Sequence, residues 1–184
     1  KEAMSYDGVL RDLHTVEFKR LIPGPLALAW DYLTKRELLK TWFADVALEP
    51  RLGGAVEVTF DKDTCGGCSA GVRGVVREFR PPHVVAFSWI QLRARPDGSI
   101  REQDEGEVRF ELAERGDKVL LTLLHSRLST DELTSHSAGW HAYLQNLDSV
   151  MTARGRIDFM DVARRVRPGY ETQLTGLRRA GAAA

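Results

Sequence analysis

Cysteine is scarce, with two residues in 184, far too few for a disulfide framework. No apolar run approaches the roughly 20 residues that a membrane helix needs, and Lys1 to Leu13 carry no hydrophobic stretch of leader type. The chain has no Asn-x-Ser/Thr sequon. A cytoplasmic protein that makes no use of a membrane is therefore expected. Charge of one sign is also missing: 26 Lys plus Arg balance 26 Asp plus Glu, so no global field points to nucleic acid or to an anionic lipid surface. The motifs of common chemistries are absent. There is no Gly-x-Ser-x-Gly elbow, no Gly-x-Gly-x-x-Gly after a strand, no phosphate-cradling loop and no His-Glu-x-x-His. Gly66, Gly67, Gly71 and Gly74 are spaced for turns and a strand kink, not for a pyrophosphate. Nothing nominates a nucleophile, so neither catalysis nor a cofactor nor a metal is expected.

What is present is an ordinary globular composition, 43% hydrophobic and 28% charged, at a length that suits one domain. The neutral total hides an asymmetry. Beyond Met151 stand seven arginines and three acidic residues, near +4, which leaves the first 151 residues near −4. Such a basic tail could fold back on the body or hold a second copy of the chain.

Periodicity orders the elements. Thr15–Leu21 alternates as a strand, which Pro23-Gly24-Pro25 ends. Leu26, Ala29, Trp30 and Leu33 predict a short amphipathic helix. Thr34-Lys35-Arg36-Glu37 reads as a capping box that opens a second one, and this delivers Trp42 and Phe43. After Gly53-Gly54 the period changes from 3.6 to 2, and Val56, Val58 and Phe60 share a face. Gly71–Phe79, His83–Leu92, the stretch around Val108, Phe110 and Leu112, and Val119–His125 follow as strands. Residues 93–105 are expected to be a polar hairpin around Pro96-Asp97-Gly98. Ser129-Thr130-Asp131-Glu132 opens a helical region, in which Trp140, Tyr143, Leu144, Leu147, Val150 and Met151 mark the apolar side of a long helix. An antiparallel sheet has one face to cover, and that helix is the element large enough to do it. The expected fold is thus α+β, a curved antiparallel sheet wrapped around one long helix, with a cavity at the open side. The expected organisation is an N-terminal tail over 1–14, the domain over 15–153, and a basic, partly helical extension over 154–184.

The pattern Ala29-Trp30-x-x-Leu33-Thr34-x-x-x-Leu38-x-x-Trp42-Phe43 carries a resemblance when joined to Gly53-Gly54, Val75–Pro82, Phe87-x-Trp89, Leu121–His125 and Ala138-Gly139-Trp140. It resembles the START-like, helix-grip superfamily. Within it, the order is similar to proteins related to the C-terminal domain of the activator of the ninety-kilodalton heat-shock-protein ATPase. The resemblance covers about residues 15–152 and implies the helix-grip fold. Members bind lipids, hormones, polyketides or partner proteins, so it does not fix an activity.

Among candidate sites, Cys65-Gly66-Gly67-Cys68 could be half of a zinc site or a redox pair. With no second cysteine pair, an exposed hairpin tip is the expected reading. The ligand-lining candidates are Trp42, Phe43, Phe60, Phe87, Trp89, Phe110, Trp140 and Tyr143, with Leu144 and Leu147 from the long helix, core and pocket being continuous in this architecture. His125 and His136 could serve as bases, and hydrogen-bonded structural roles are expected for both. Glu102, Asp104, Glu105 and Glu107 are expected to be solvated. In the tail, Ile157, Met160 and Ala163 share a helical face, Pro168-Gly169 is expected to break it, and Tyr170, Leu174 and Leu177 repeat beyond it. The functional expectation is a non-catalytic protein holding a small hydrophobic molecule between sheet and long helix. His125 or Tyr143 would then orient the ligand. The alternatives are a protein-binding, co-chaperone-like module and an aromatase- or cyclase-like enzyme, with a homodimer through the extension as a further partner.

Overall fold

In the computed structural model, residues 7–61 and 70–184 are described. Cys65 and Cys68, and the hairpin tip expected there, lie outside the described residues. Among the described residues eight strands and four helices follow in order: β1 (Val9–Asp12), β2 (Thr15–Pro23), α1 (Leu26–Thr34), α2 (Arg36–Trp42), β3 (Asp45–Leu48), β4 (Ala55–Thr59), β5 (Gly71–Arg80), β6 (Val84–Ala94), β7 (Ile100–Arg115), β8 (Lys118–Ser126), α3 (Thr130–Met151) and α4 (Phe159–Ala182). The strands form one antiparallel sheet in the order β1-β2-β8-β7-β6-β5-β4-β3. Alternation puts Val16, Phe18 and Ile22 of β2, Phe110 and Leu112 of β7, and Leu121 and Leu123 of β8 on the concave side, where all are buried. The long helix α3 fills that side with Leu133, Trp140, Leu144 and Leu147, as its apolar stripe requires. The α+β helix-grip architecture expected from the sequence is the one observed.

The departures are local and have identifiable causes. Thr34 does not cap α2. Only Lys35 separates the first two helices, so Thr34 closes α1 and its Oγ1 donates to the Trp30 carbonyl at 2.8 Å, while Lys35 is the extended cap residue. The hairpin expected over 93–105 is shorter. Arg95 N–H already bonds the Ser99 carbonyl across the tip, and β7 begins at Ile100.

The largest departure is Glu105, which is not solvated but fully buried. The register of β6 against β7 shifts between Ser88 and Ile90, so Glu105 and Gly106 together face Trp89 in a bulge. Gly106 sits at φ +78°, and a Cβ there would fall 1.8 Å from the Ser126 carbonyl oxygen. One extra residue reverses the parity of the strand. Inward positions run through Val108, Phe110 and Leu112 beyond the bulge, but through Glu105 before it. The carboxylate so turned inward caps α3, accepting from Ser129 N–H at 2.9 Å and from the Ser129 hydroxyl at 2.9 Å, with Gln103 Nε2 as a third donor. Glu102 stays outside and pairs with Arg73.

The C-terminal segment also differs. Pro168-Gly169 does not break it, and α4 runs unbroken from Phe159 to Ala182. Proline costs an interior helix about 3 kcal/mol, and here burial on both sides offsets that loss, through Val162 before it and Tyr170 and Leu174 after it. Its apolar side lies on α3 and on edge strand β1. The Tyr170 hydroxyl accepts Gly8 N–H at 2.8 Å and donates to His141 Nδ1 at 2.8 Å. The Gln173 amide accepts from Leu10 N–H and donates to the Gly8 carbonyl, both at 3.0 Å, serving the open edge of β1 as a neighbouring strand would. Away from that side, α4 carries the exposed Arg165, Arg178 and Arg179.

Two glycine replacements should move stability in opposite directions. Gly106→Ala should cost more than about 3 kcal/mol, since it combines positive φ with a backbone clash. Gly176→Ala, on α4 with nothing near its Cβ position, should add roughly 0.5–1 kcal/mol. Urea denaturation followed by circular dichroism measures both.

Candidate functional site

Between the concave face of the sheet, α3 and α4 lies a cleft of about 690 Å³. The sheet supplies Phe60, just past β4, and Trp89, Gln91 and Arg93 of β6. Helix α3 supplies Glu132, Ser135, His136, Gly139, Trp140 and Tyr143. The opposite wall is α4, with Phe159, Met160, Ala163, Arg164, Arg167 and Glu171. A smaller neighbouring cavity of about 230 Å³ lies between Tyr143, Asn146 and residues 156–160.

Of the ten residues expected to line a pocket, Phe60, Trp89, Trp140 and Tyr143 stand on this cleft. The other six do not, and form the layer behind it. Phe43 stacks on Trp140 at 5.2 Å between ring centroids and meets Tyr143 edge-on at 4.8 Å. Phe87 stacks on Trp89 at 6.3 Å, and Phe110 meets Trp140 edge-on at 5.9 Å. Trp42 is fully buried beside Phe43, its indole N–H donated to the Tyr32 carbonyl at 2.9 Å, and Leu144 and Leu147 point into the core. Periodicity placed all ten on the inner side, but only the sheet's curvature separates wall from filling.

Sequence reasoning missed the α4 wall, because its stripe of Met160, Ala163, Arg164, Arg167 and Glu171 spans the Pro168 position expected to end the helix. The helical spacing of that stripe was the available signal. It also missed Asn146, a buried amide on α3. Nδ2 donates to the Trp42 carbonyl at 2.9 Å, and Oδ1 accepts from Ile157 N–H at 3.1 Å. One side chain thus ties the end of α2 to the segment that starts α4.

Polar groups around the cleft are held in a chain. Trp140 Nε1–H donates to His125 Nδ1 at 3.0 Å, and His125 Nε2–H donates to the Glu105 carbonyl at 2.6 Å. His125 is therefore a neutral, fully buried strut between α3 and the β7 bulge, and it does not reach the cleft that it was considered to serve. Trp89 Nε1–H donates to Gln91 Oε1 at 3.1 Å, and Gln91 Nε2 donates to the Gly71 carbonyl at 3.2 Å. His136, whose ring lies 5.3 Å from that of His125, does face the cleft. Its Nδ1–H donates to the Glu132 carbonyl one turn earlier, at 3.0 Å. Glu132 pairs with Arg93 at 2.9 Å, both partly buried. Among the described residues no three His, Cys, Asp or Glu side chains gather as a metal site, and no helix is long and apolar enough to cross a membrane.

Comparison with known proteins follows the same outline. The family model described as "Activator of Hsp90 ATPase homolog 1-like protein" matches residues 23–152. Among solved structures, CalU16 from Micromonospora echinospora is 19% identical, with 87% of this chain and 88% of that one covered and a TM-score of 0.67. A protein of Bordetella parapertussis is 25% identical over 92% of each chain, with a TM-score of 0.66. The Aha1 dimer from Colwellia psychrerythraea is 18% identical, with 74% of this chain and 95% of that one covered and a TM-score of 0.56. No curated protein matches the chain at significant similarity.

The buried histidines make stability depend on pH. Burial holds the His125 ring well below the ordinary imidazole range, with neighbouring His136 adding to it. Burial also lowers His136 and takes His141 down to about 4, where Arg20 contributes. Each stays neutral in the fold while the unfolded chain takes up a proton near pH 6.5, so stability is full above that pH and lost as pH falls below it. Between pH 7.5 and 5.5 His141, taken down to about 4 in the fold, should alone lower the unfolding free energy by about 1 kcal/mol, and His125 and His136 act in the same direction. His141→Gln should make the slope shallower. Guanidinium midpoints across that range check it, and a flat profile would contradict the neutral assignment.

Proposed function

The chain belongs to the activator of Hsp90 ATPase homolog 1-like family, and we propose that it is a binding protein that holds a small hydrophobic molecule in the cleft between the sheet, α3 and α4. The observation that carries this reading is the cleft itself. Its volume of about 690 Å³ suits a ligand of three or four fused or linked rings. Phe60, Trp89, Trp140, Tyr143 and Phe159 give it aromatic walls. Both indole N–H groups are satisfied within the protein, so those rings offer a ligand apolar surface alone. Burial of a ligand's apolar area at about 25 cal/mol per Å² would supply the affinity. Gly139 supports the same reading. It stands mid-helix on the cleft floor, where only Phe159 Cζ, at 3.9 Å, approaches the Cβ position, so the missing side chain leaves room rather than relieving a clash.

A cyclase-type enzyme is a second reading, favoured by one observation: His136 and Glu132, both titratable, stand on the cleft wall. Partnership with a second copy of the chain also remains in view, since a relative, Aha1 of Colwellia psychrerythraea, is described as a dimer. The apolar side of α4 is already covered by α3 and β1 in this chain, so a second copy would meet its arginine side.

An environment-sensitive naphthalene sulfonate dye tests the binding reading. Met160→Glu, at an exposed position on the cleft mouth, and Gly139→Leu, on its floor, should each weaken dye binding about tenfold. Leu21→Glu, exposed on β2 away from the cleft, should leave it unchanged. Equal affinity in all three, with native circular dichroism, would discard the cleft as the binding site.

A further inference from the structure

The polar valences of the cleft are unequal. Both tryptophan N–H groups are committed inside the protein, Trp140 to His125 and Trp89 to Gln91. The Gln91 amide nitrogen is held by the Gly71 carbonyl. Arg93 is drawn onto Glu132 at 2.9 Å. His136 differs from these. It stands on α3 one turn after Glu132 and one turn before Trp140, and its Nδ1–H is fixed on the Glu132 carbonyl at 3.0 Å. That bond sets the tautomer, so Nε2 carries a lone pair and no proton. Among the described residues Nε2 has no hydrogen-bond partner, and the ring, with 11% of its side chain exposed, forms part of the cleft wall. Trp89 meets the ring edge-on at 6.2 Å and Trp140 lies one turn along the helix, so the imidazole stands among the aromatic walls of the cleft.

We propose that Nε2 of His136 is the polar anchor of the cleft, and that it selects planar aromatic ligands of the phenol class, whose O–H donates to that nitrogen while the ring lies among Trp89, Trp140 and Tyr143. This rests on the binding reading above and narrows it to a ligand chemistry. The assignment follows from complementarity. An acceptor that meets water only through the cleft loses that hydration when a ligand covers it. A ligand that brings a donor restores a hydrogen bond, whereas one of the same shape without a donor does not. The fixed Nδ1–H orients the lone pair, much as an imidazole bound through one nitrogen presents the other.

Calorimetric titration of the full chain with 2-naphthol and with 2-methoxynaphthalene, its capped counterpart, tests the proposal. The wild-type protein should bind 2-naphthol about tenfold more tightly, the discrimination of roughly one hydrogen bond. In His136→Phe the ratio should fall to about one, with the affinity for 2-methoxynaphthalene kept or improved. Nitrogen-15 NMR of the imidazole rings supplies a ligand-free readout that needs no variant to fold. His136 should show the Nδ1–H tautomer and His125 the Nε2–H tautomer, and 2-naphthol should shift His136 Nε2. An Nε2–H tautomer at His136 would overturn the proposal. Equal wild-type affinity for both naphthalenes, each weakened by Met160→Glu, would also overturn it while leaving the cleft reading intact. Absence of binding by either compound and by the dye would overturn both.

Discussion

The bulge at Glu105-Gly106 is the constraint on which the rest of the site depends. A regular β7 would send Glu105 outward with Glu107, as alternation demands. The extra residue, allowed by positive φ at Gly106, turns the Glu105 carboxylate inward under the first turn of α3 and aims its carbonyl at His125. The helix is thereby held at its N-terminus by a charge and along its length by the His125–Trp140 bond. A buried carboxylate without such donors would be strongly unfavourable. Here the Ser129 backbone and hydroxyl and the Gln103 amide provide them. The orientation of Trp140, one wall of the cleft, is set by this chain of bonds rather than by packing alone.

A second set of contacts converts an open groove into a two-walled cleft. Helix α4 lies outside residues 23–152, the span that the family model matches, yet it supplies more than a third of the cleft's lining. Asn146 holds the segment leading into it, while Tyr170 and Gln173 hold it to β1. The Tyr170 and Gln173 anchors join residues more than 160 positions apart, so the wall is completed only when β1 and α4 have met. The sheet and long helix fall within the matched span, and a helix outside it sets the shape of the opening. The basic segment folds back on the body, with Arg164 and Arg167 on the cleft side of that wall and Arg165, Arg178 and Arg179 off it.

The order of elements was legible because it rests on local periodicity and on strong punctuation. Val56 and Val58 alternate, Trp140, Tyr143, Leu144 and Leu147 recur at helical spacing, and Pro and Gly mark the ends. Such signals survive without knowledge of the neighbours. The same logic failed at Thr34, where a capping box was spelled correctly but its first residue closes the preceding helix. It failed again at Pro168, where tertiary burial of Tyr170 and Leu174 outweighs a local cost. Glu105 was misplaced for a different reason. A bulge changes strand parity at one residue, and nothing in a charged run announces it except the glycine that permits it.

For the candidate site the division is sharper. The chain alone determined that its aromatic residues would lie on the inner side of a curved sheet, since each is carried there by the period of its own element. Which of them border empty space was decided by the curvature of the sheet and the position of α4. Phe43 and Trp140 stack face to face, yet only Trp140 lines the cleft. His125 and His136, equivalent as candidates in the sequence, were separated in the same way, one closed on both ring nitrogens and the other open on one. Periodicity assigns a side chain to a face, because that is a property of neighbouring residues. What stands opposite it is a property of residues far away, and only the folded chain brings those together.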